Sequence, residues 1–349
     1  MRKRVISWLL TVVMVVSMLP TSVLADTLAA DQEQQTQQEQ IAPVDTENTV
    51  PAGNEETQEQ QEPAPETPAP QMARSGGTAL ALAEGTVSSA KEFAAMDASG
   101  SYTLTKDIIV TEPYASDFSG TFDGNGHTVT LDITASTANV GLFSKLAGGA
   151  VVRNVITAGS VTATGKNNVG GIAGVADTEL GAITISNCKN EAAIKGNKVV
   201  GGILGGCTED DYVLTISACA NEGNISGTRN IGGICGTLEN AHFIKNCYNS
   251  GAVTGSTIGG ILGRGARGYS STTDTPILEN CYNVGNIVYS GTNGSAIVGT
   301  GYAKKPVEVK NCYALEGSAS LLVPADNVTV DSASSFKTET EMKSPAFAA

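Results

Sequence analysis

The 349-residue chain is short of the residues that most metal and nucleic-acid chemistry needs. It has two histidines, His127 and His242, with no Cys-x-x-Cys pair and no His-Glu-x-x-His string. Zinc sites and zinc peptidase centres draw on those patterns, so no metal and no cofactor is expected. Aromatic residues make up 5% of the chain, and its one tryptophan, Trp8, lies near the N-terminus. Basic residues number 21 against 35 acidic ones, giving a net charge of −14. Within 137–320 the balance is near neutral, 13 Lys and Arg against 12 Asp and Glu, and no basic stripe runs along it. Nucleic acid is therefore excluded as a partner. No stretch after the N-terminal segment reaches the roughly eighteen apolar residues of a membrane helix, so no integral membrane span is expected.

The N-terminus carries Arg2, Lys3 and Arg4, then an apolar run from Val5 to about Met18, then Val23-Leu24-Ala25. That order reads as a secretory signal peptide over 1–25, cut before Asp26. No cysteine stands near the cut, which argues against a lipid anchor there. Residues 26–78 follow as a Gln-, Glu- and Pro-rich linker. From Asp26 to Ser75 it holds eleven acidic residues and one basic residue, Arg74. Such a segment has too little apolar surface to offset its chain entropy and is expected to be disordered.

What is plentiful is glycine, 40 residues, and it recurs with a period. Val169-Gly-Gly-Ile172, Val200-Gly-Gly-Ile203, Ile231-Gly-Gly-Ile234 and Ile258-Gly-Gly-Ile261 lie 31, 31 and 27 residues apart. Cys188, Cys219, Cys247, Cys281 and Cys312 follow at spacings of 31, 28, 34 and 31. Three residues before each cysteine stands Ile185, Ile216, Ile244, Leu278 or Val309, and two residues after it Asn190, Asn221, Asn249, Asn283 or Ala314. Val152, Val155 and Thr157 begin the same series. Six residues on come Val161, Ile194, Ile225, Val253 and Ile287. A period near thirty with variable insertions is the mark of a stacked solenoid, whose units bury their apolar faces only against neighbours.

A strand alternates its faces with period two, yet the two apolar positions around each cysteine are three residues apart. The chain must turn a corner between them. Asn154, Asn187, Asn246, Asn280 and Asn311 stand just before the cysteine position, and asparagine tolerates the left-handed backbone such a corner needs. The glycine pairs and Gly159, Gly223, Gly251 and Gly285 suit further corners. The expected fold is all-β: a parallel β-helix or β-solenoid of about six rungs over 137–320, with about three short strands per rung. Glycine pairs and β-branched runs are weak helix formers, so a helical repeat competes poorly. Residues 79–136 read as a small N-terminal cap. In it, Ser89-Ala-Lys-Glu92 opens a short helix to about Met96, Tyr102 to Val110 forms a strand, and Val129, Leu131 and Ile133 share one face of another. Residues 321–349 read as a C-terminal tail, with a connecting helix beginning between Phe336 and Phe347.

The strings Gly-Gly-Ile-Leu-Gly (259–263), Asn-Cys-Tyr-Asn (246–249), Gly-Ala-Val-Thr-Gly (251–255) and Gly-Thr-Phe-Asp-Gly-Asn-Gly-His (120–127) resemble the GLUG-motif repeats of bacterial surface proteins. Similar repeats occur in the stalks of IgA-specific metallopeptidases. The resemblance covers roughly 100–320. It implies a parallel β-solenoid, a Gram-positive or gut-bacterial origin and an adhesin-like setting, and it supplies no catalytic residues to carry over.

Several residues are candidates for chemistry. Cys188, Cys219, Cys247, Cys281 and Cys312 read as a ladder of small buried hydrophobes, because stacked side chains point in parallel and make poor disulfide geometry. Asn190, Asn221, Asn249 and Asn283 form a second ladder. Cys207 and Cys235 fall outside the ladders and could pair if their edges meet. Thr208-Glu-Asp-Asp211 is the densest acidic cluster, either a solvated insertion or a calcium loop of the kind polysaccharide lyases use. Asp123 and Asn125 look like half a calcium loop, but Gly124 and Gly126 fit a tight turn better. Tyr248, Tyr282 and Tyr313 each follow a ladder cysteine, so they should face outward in one strip, and such strips bind glycans or proteins.

The leading expectation is a non-enzymatic secreted or cell-surface repeat protein, adhesin-like or acting as a spacer or stalk. Its partners would be host or cell-wall glycans or surface proteins. The alternative is a carbohydrate-active β-helix, a polysaccharide lyase or hydrolase with acidic and basic residues converging in one groove.

Overall fold

The computed structural model describes residues 84–208, 212–238, 242–265, 275–302, 306–324, 326–344 and 347. The signal-peptide and linker readings, and Glu209, Asp210 and Asp211 of the acidic cluster, lie outside the described residues.

Each repeat contributes strands to three parallel sheets of ten, seven and fifteen strands. The described residues form a β-solenoid with almost no helix, and the repeat columns read from the sequence are columns in space. In the ten-stranded sheet Val152, Ile185, Ile216, Ile244, Leu278 and Val309 stand in unbroken register through six turns. In the fifteen-stranded sheet Thr157, Asn190, Asn221, Asn249, Asn283 and Ala314 do the same. So do Val161, Ile194, Ile225, Val253 and Ile287. Neighbouring rungs in such a sheet are about 4.8 Å apart.

The parity conflict resolves as expected. Asn154, Asn187, Asn246, Asn280 and Asn311 adopt φ of 55°, 51°, 54°, 53° and 50°, and Ala218 holds the same corner at 51°. Turning there lets both the −3 residue and the cysteine point inward, and all are buried. A second left-handed row was not expected. Asn139, Asn168, Val199 and Asn230 have φ of 59°, 57°, 59° and 57°, one residue before the apolar residue that precedes Gly141 or a glycine pair.

That row takes the corner role assigned to the glycine pairs, which are not left-handed. Their reason is close approach. A Cβ on Gly202 would lie 2.3 Å from the Asn221 Oδ1, and one on Gly171 would lie 2.4 Å from the Asn190 Oδ1. The second glycine of each pair thus leaves room for the asparagine ladder.

The solenoid is continuous beyond the repeats. Thr128–Thr134 pairs along its whole length with Ile156–Thr162, and Thr121–Asp123 pairs with Val151–Arg153. At the other end Val328–Val330 pairs with Val307–Val309, and Ser335–Lys337 with Tyr313–Leu315. The limits drawn near 136 and 320 therefore fall inside continuous sheets. Tyr102 to Val110 is two strands, Ser101–Leu104 and Ile108–Val110, and Phe336 lies in a strand. At the C-terminus a short helix covers Glu339–Met342.

The first rung is closed by the helix Ala90–Ala94, shorter than the sequence suggested. Ser89 caps it by accepting the Glu92 N–H at 3.3 Å, while the Glu92 carboxylate reaches back one residue further, to Ser88. Its Phe93 packs edge-on against Tyr114, Phe122 and Phe143 at 5.8, 5.6 and 5.6 Å between centroids. This aromatic plug covers what would otherwise be an open apolar end.

Candidate functional site

Inside the solenoid the two ladders are structural. Asn190 Nδ2 donates to Asn221 Oδ1 at 2.7 Å, Asn221 to Asn249 at 2.6 Å and Asn249 to Asn283 at 2.7 Å. Each also donates to a carbonyl two residues on, at 2.9 Å. Thr157 starts the chain by donating to Asn190 Oδ1 at 2.9 Å. A fully buried polar row is tolerable because its members satisfy one another.

All seven cysteines are free and buried, so Cys207 and Cys235 do not pair. The register shows why: Cys235 stands opposite Leu204, three residues from Cys207. Each ladder thiol donates to the carbonyl two residues earlier, as Cys247 does to Lys245 at 3.2 Å. Burial pushes the Cys188 and Cys247 thiols well up, and that of Cys235 to about 12. These are inert positions, since the thiolate is the reactive form. Cys207 instead lies 3.2 Å from the His242 Nε2. His242 Nδ1 accepts the Leu214 N–H at 3.1 Å, which leaves the ring proton on Nε2 in the neutral form. An imidazolium would lose that backbone bond, so this pair is poorly arranged as an activated thiolate.

The outer wall is different. At one register position the fifteen-stranded sheet presents Thr128, Ile156, Lys189, Ala220, Tyr248, Tyr282, Tyr313 and Ser335. The structure thus brings the three tyrosines into one column, each half-buried. The rings of Tyr248 and Tyr282 stack 5.1 Å apart and 7° from parallel. The Tyr248 hydroxyl donates to Glu222 Oε1 at 2.6 Å, which fixes the ring. Burial, then the hydrogen bond to Glu222 and its charge, push its pKa up.

The strip is not fully open. Phe347 meets the Tyr282 and Tyr313 rings edge-on at 6.0 and 5.1 Å, and Lys337 Nζ lies 5.7 Å from the Tyr313 ring centre. A groove of about 480 Å³ lies among Tyr282, Val284, Leu315, Glu339, Met342, Lys343 and Phe347. A second, about 510 Å³, is lined by residues of five successive rungs at the other end of the strip, between the asparagine corner and Tyr248.

Several charged residues on the described surface are held in ion pairs. Lys145 bridges Asp177 and Asp117 at 2.8 and 3.0 Å on the seven-stranded sheet. The hydrogen bonds Lys145 donates to those two carboxylates raise its pKa, the wrong direction for a general base. Asp123 is occupied as well. Burial works to raise it, but bonds from Asn154, the Asn125 N–H and Arg153 hold it below the ordinary value. That is tight-turn chemistry, and no three metal-ligating side chains group together among the described residues.

No protein-family model matches the chain, and no curated protein matches it. Among solved structures the chain is similar to a "putative immunoglobulin A1 protease" from Bacteroides ovatus. The identity is 20%, the match covers 74% of this chain and 85% of that one, and the TM-score is 0.49. A likeness of that size carries no functional weight, and the solenoid stands on the strand registers themselves.

Proposed function

We propose that this is a non-enzymatic secreted or surface-displayed protein whose solenoid holds out a binding wall for glycans or surface proteins. The observation that carries this reading is the parallel stack of Tyr248 and Tyr282 on a sheet locked from within by two ladders. Aromatic rings held rigidly at a half-buried surface offer large contact area at small entropic cost. The leader-like N-terminus and the resemblance of the repeats to GLUG-motif surface proteins support the extracellular setting. The test is binding of the purified protein to immobilised mucin and bacterial cell wall, with Tyr248→Ser, Tyr282→Ser and Tyr313→Ser combined. Loss of adhesion with an unchanged circular dichroism spectrum supports the proposal. Equal adhesion, or polysaccharide cleavage by the parent, overturns it.

A further inference from the structure

The column that carries the tyrosines is interrupted. Its turn at 216–226 has Ala220 where adjacent turns have Lys189 and Tyr248. The same turn has Ala218 at the corner where the turns beside it have Asn187 and Asn246. Two small side chains side by side in one rung make a notch. Its floor is Ala220, 8% exposed although it stands in the outward column. The groove of about 510 Å³ runs over this floor, with Asn154, Asn187 and Lys189 toward one side and Tyr248 toward the other.

The notch exposes complementary chemistry. Tyr282 covers one face of Tyr248, and the rung order Ala220, Tyr248, Tyr282 turns the opposite face over the alanine. Along the corner Asn187 Nδ2 donates to Asn154 Oδ1 at 2.7 Å, and Asn311 donates to Asn280 at 2.7 Å and Asn280 to Asn246 at 3.1 Å. Ala218 breaks this row, so the carboxamide oxygen of Asn187 meets no asparagine donor in the next rung. Lys189 pairs with Glu191 and, at 3.7 Å, with Glu222, and Glu222 also accepts the Tyr248 hydroxyl. Neither charge sign dominates, which disfavours a strongly ionic ligand. A flat ring with apolar faces and hydroxyl edges suits an aromatic platform bordered by amides and carboxylates.

We propose that this notch is a saccharide subsite. A neutral sugar ring lies on the free face of Tyr248 above Ala220, with its hydroxyls bonded to Asn187 and Glu222. This rests on the adhesive reading above and narrows it to one ligand class and one position. Rungs advance about 4.8 Å, so a linear glycan along the axis can run from the notch past the Asn154 and Asn187 corner.

The test is isothermal titration of the full chain with neutral hexasaccharides of glucose, mannose, galactose and N-acetylglucosamine. Ala220→Tyr fills the notch and repeats the residue found one rung on, so it should fold. Tyr248→Ala removes the platform, and Leu180→Ser changes an exposed side chain between the seven- and ten-stranded sheets, off the tyrosine wall. At least one hexasaccharide should bind, at least tenfold more weakly to Ala220→Tyr and Tyr248→Ala, and within twofold of parent affinity to Leu180→Ser. Undiminished binding by a folded Ala220→Tyr overturns the notch and leaves the adhesive wall standing. Adhesion to mucin or cell wall with no hexasaccharide binding overturns the saccharide assignment alone. Absence of both overturns the inference together with the reading beneath it.

Discussion

Replacing Asn221 by alanine tests the asparagine ladder where it is most connected. Asn221 accepts from Asn190 at 2.7 Å and donates to Asn249 at 2.6 Å and to the Gly223 carbonyl at 2.9 Å. Asn221→Ala strands one N–H of Asn190, the oxygen of Asn249 and the Gly223 carbonyl, all inside the protein. A buried group left unpaired costs about 1–3 kcal/mol, so the three together should cost about 3–9 kcal/mol. Asn283 ends the ladder, because the next rung has Ala314. Asn283→Ala strands only one N–H of Asn249 and the Gly285 carbonyl, a loss of about 2–6 kcal/mol. Urea unfolding followed by far-ultraviolet circular dichroism should therefore place Asn221→Ala below Asn283→Ala, and both below the parent. Equal costs, or costs under about 1 kcal/mol for both, would refute the claim that the ladder is a connected buried row.

Three further outcomes follow from single positions. Val199 is a β-branched residue at φ 59°, where its neighbours in the row are Asn168 and Asn230, so Val199→Asn should raise the melting temperature, with a gain of about 1 kcal/mol. A lower melting temperature would show that its packing outweighs the backbone strain. Cys247, 1% exposed and with its thiol pKa raised by burial, should resist a thiol reagent in the native protein and react fully in denaturant. Rapid native labelling would put it on the surface. Asp123 has a depressed folded pKa, so its contribution is present above the unfolded pKa and lost as pH falls through the depressed value. The urea midpoint should drop on acidification from pH 7 through the ordinary aspartate range, and drop less in Asp123→Asn; an identical fall would remove Asp123 as a contributor.

The columns were legible because a solenoid repeats its environment, so equal offsets from Cys188, Cys219 and Cys247 meant equal faces. The Asn187 and Asn246 corners were legible from parity alone. The Asn168 and Asn230 corner was missed because the adjacent glycines offered themselves as the turn, and only contact distances show that Gly202 is there to admit Asn221. The aromatic plug was invisible because Phe93, Tyr114, Phe122 and Phe143 follow no period and meet only through tertiary packing. Phe347 against Tyr282 and Tyr313 is the same kind of contact, a non-repeating tail folding back on the wall. The Cys207 and His242 contact joins different turns at offsets the repeat does not define. Ala218 and Ala220 were visible as exceptions in two columns, but only stacking shows that the exceptions adjoin and form one notch.

The central claim is that this chain stacks in the register that turns the asparagines inward and the tyrosines outward. Side-chain carboxamide hydrogen exchange, read by nuclear magnetic resonance, tests it directly. Asn190, Asn221 and Asn249, fully buried, should keep their amide protons for hours, while those of Asn187 and Asn246 at the exposed corner exchange within the dead time. Equally fast exchange at all five positions would contradict the register and the account built on it.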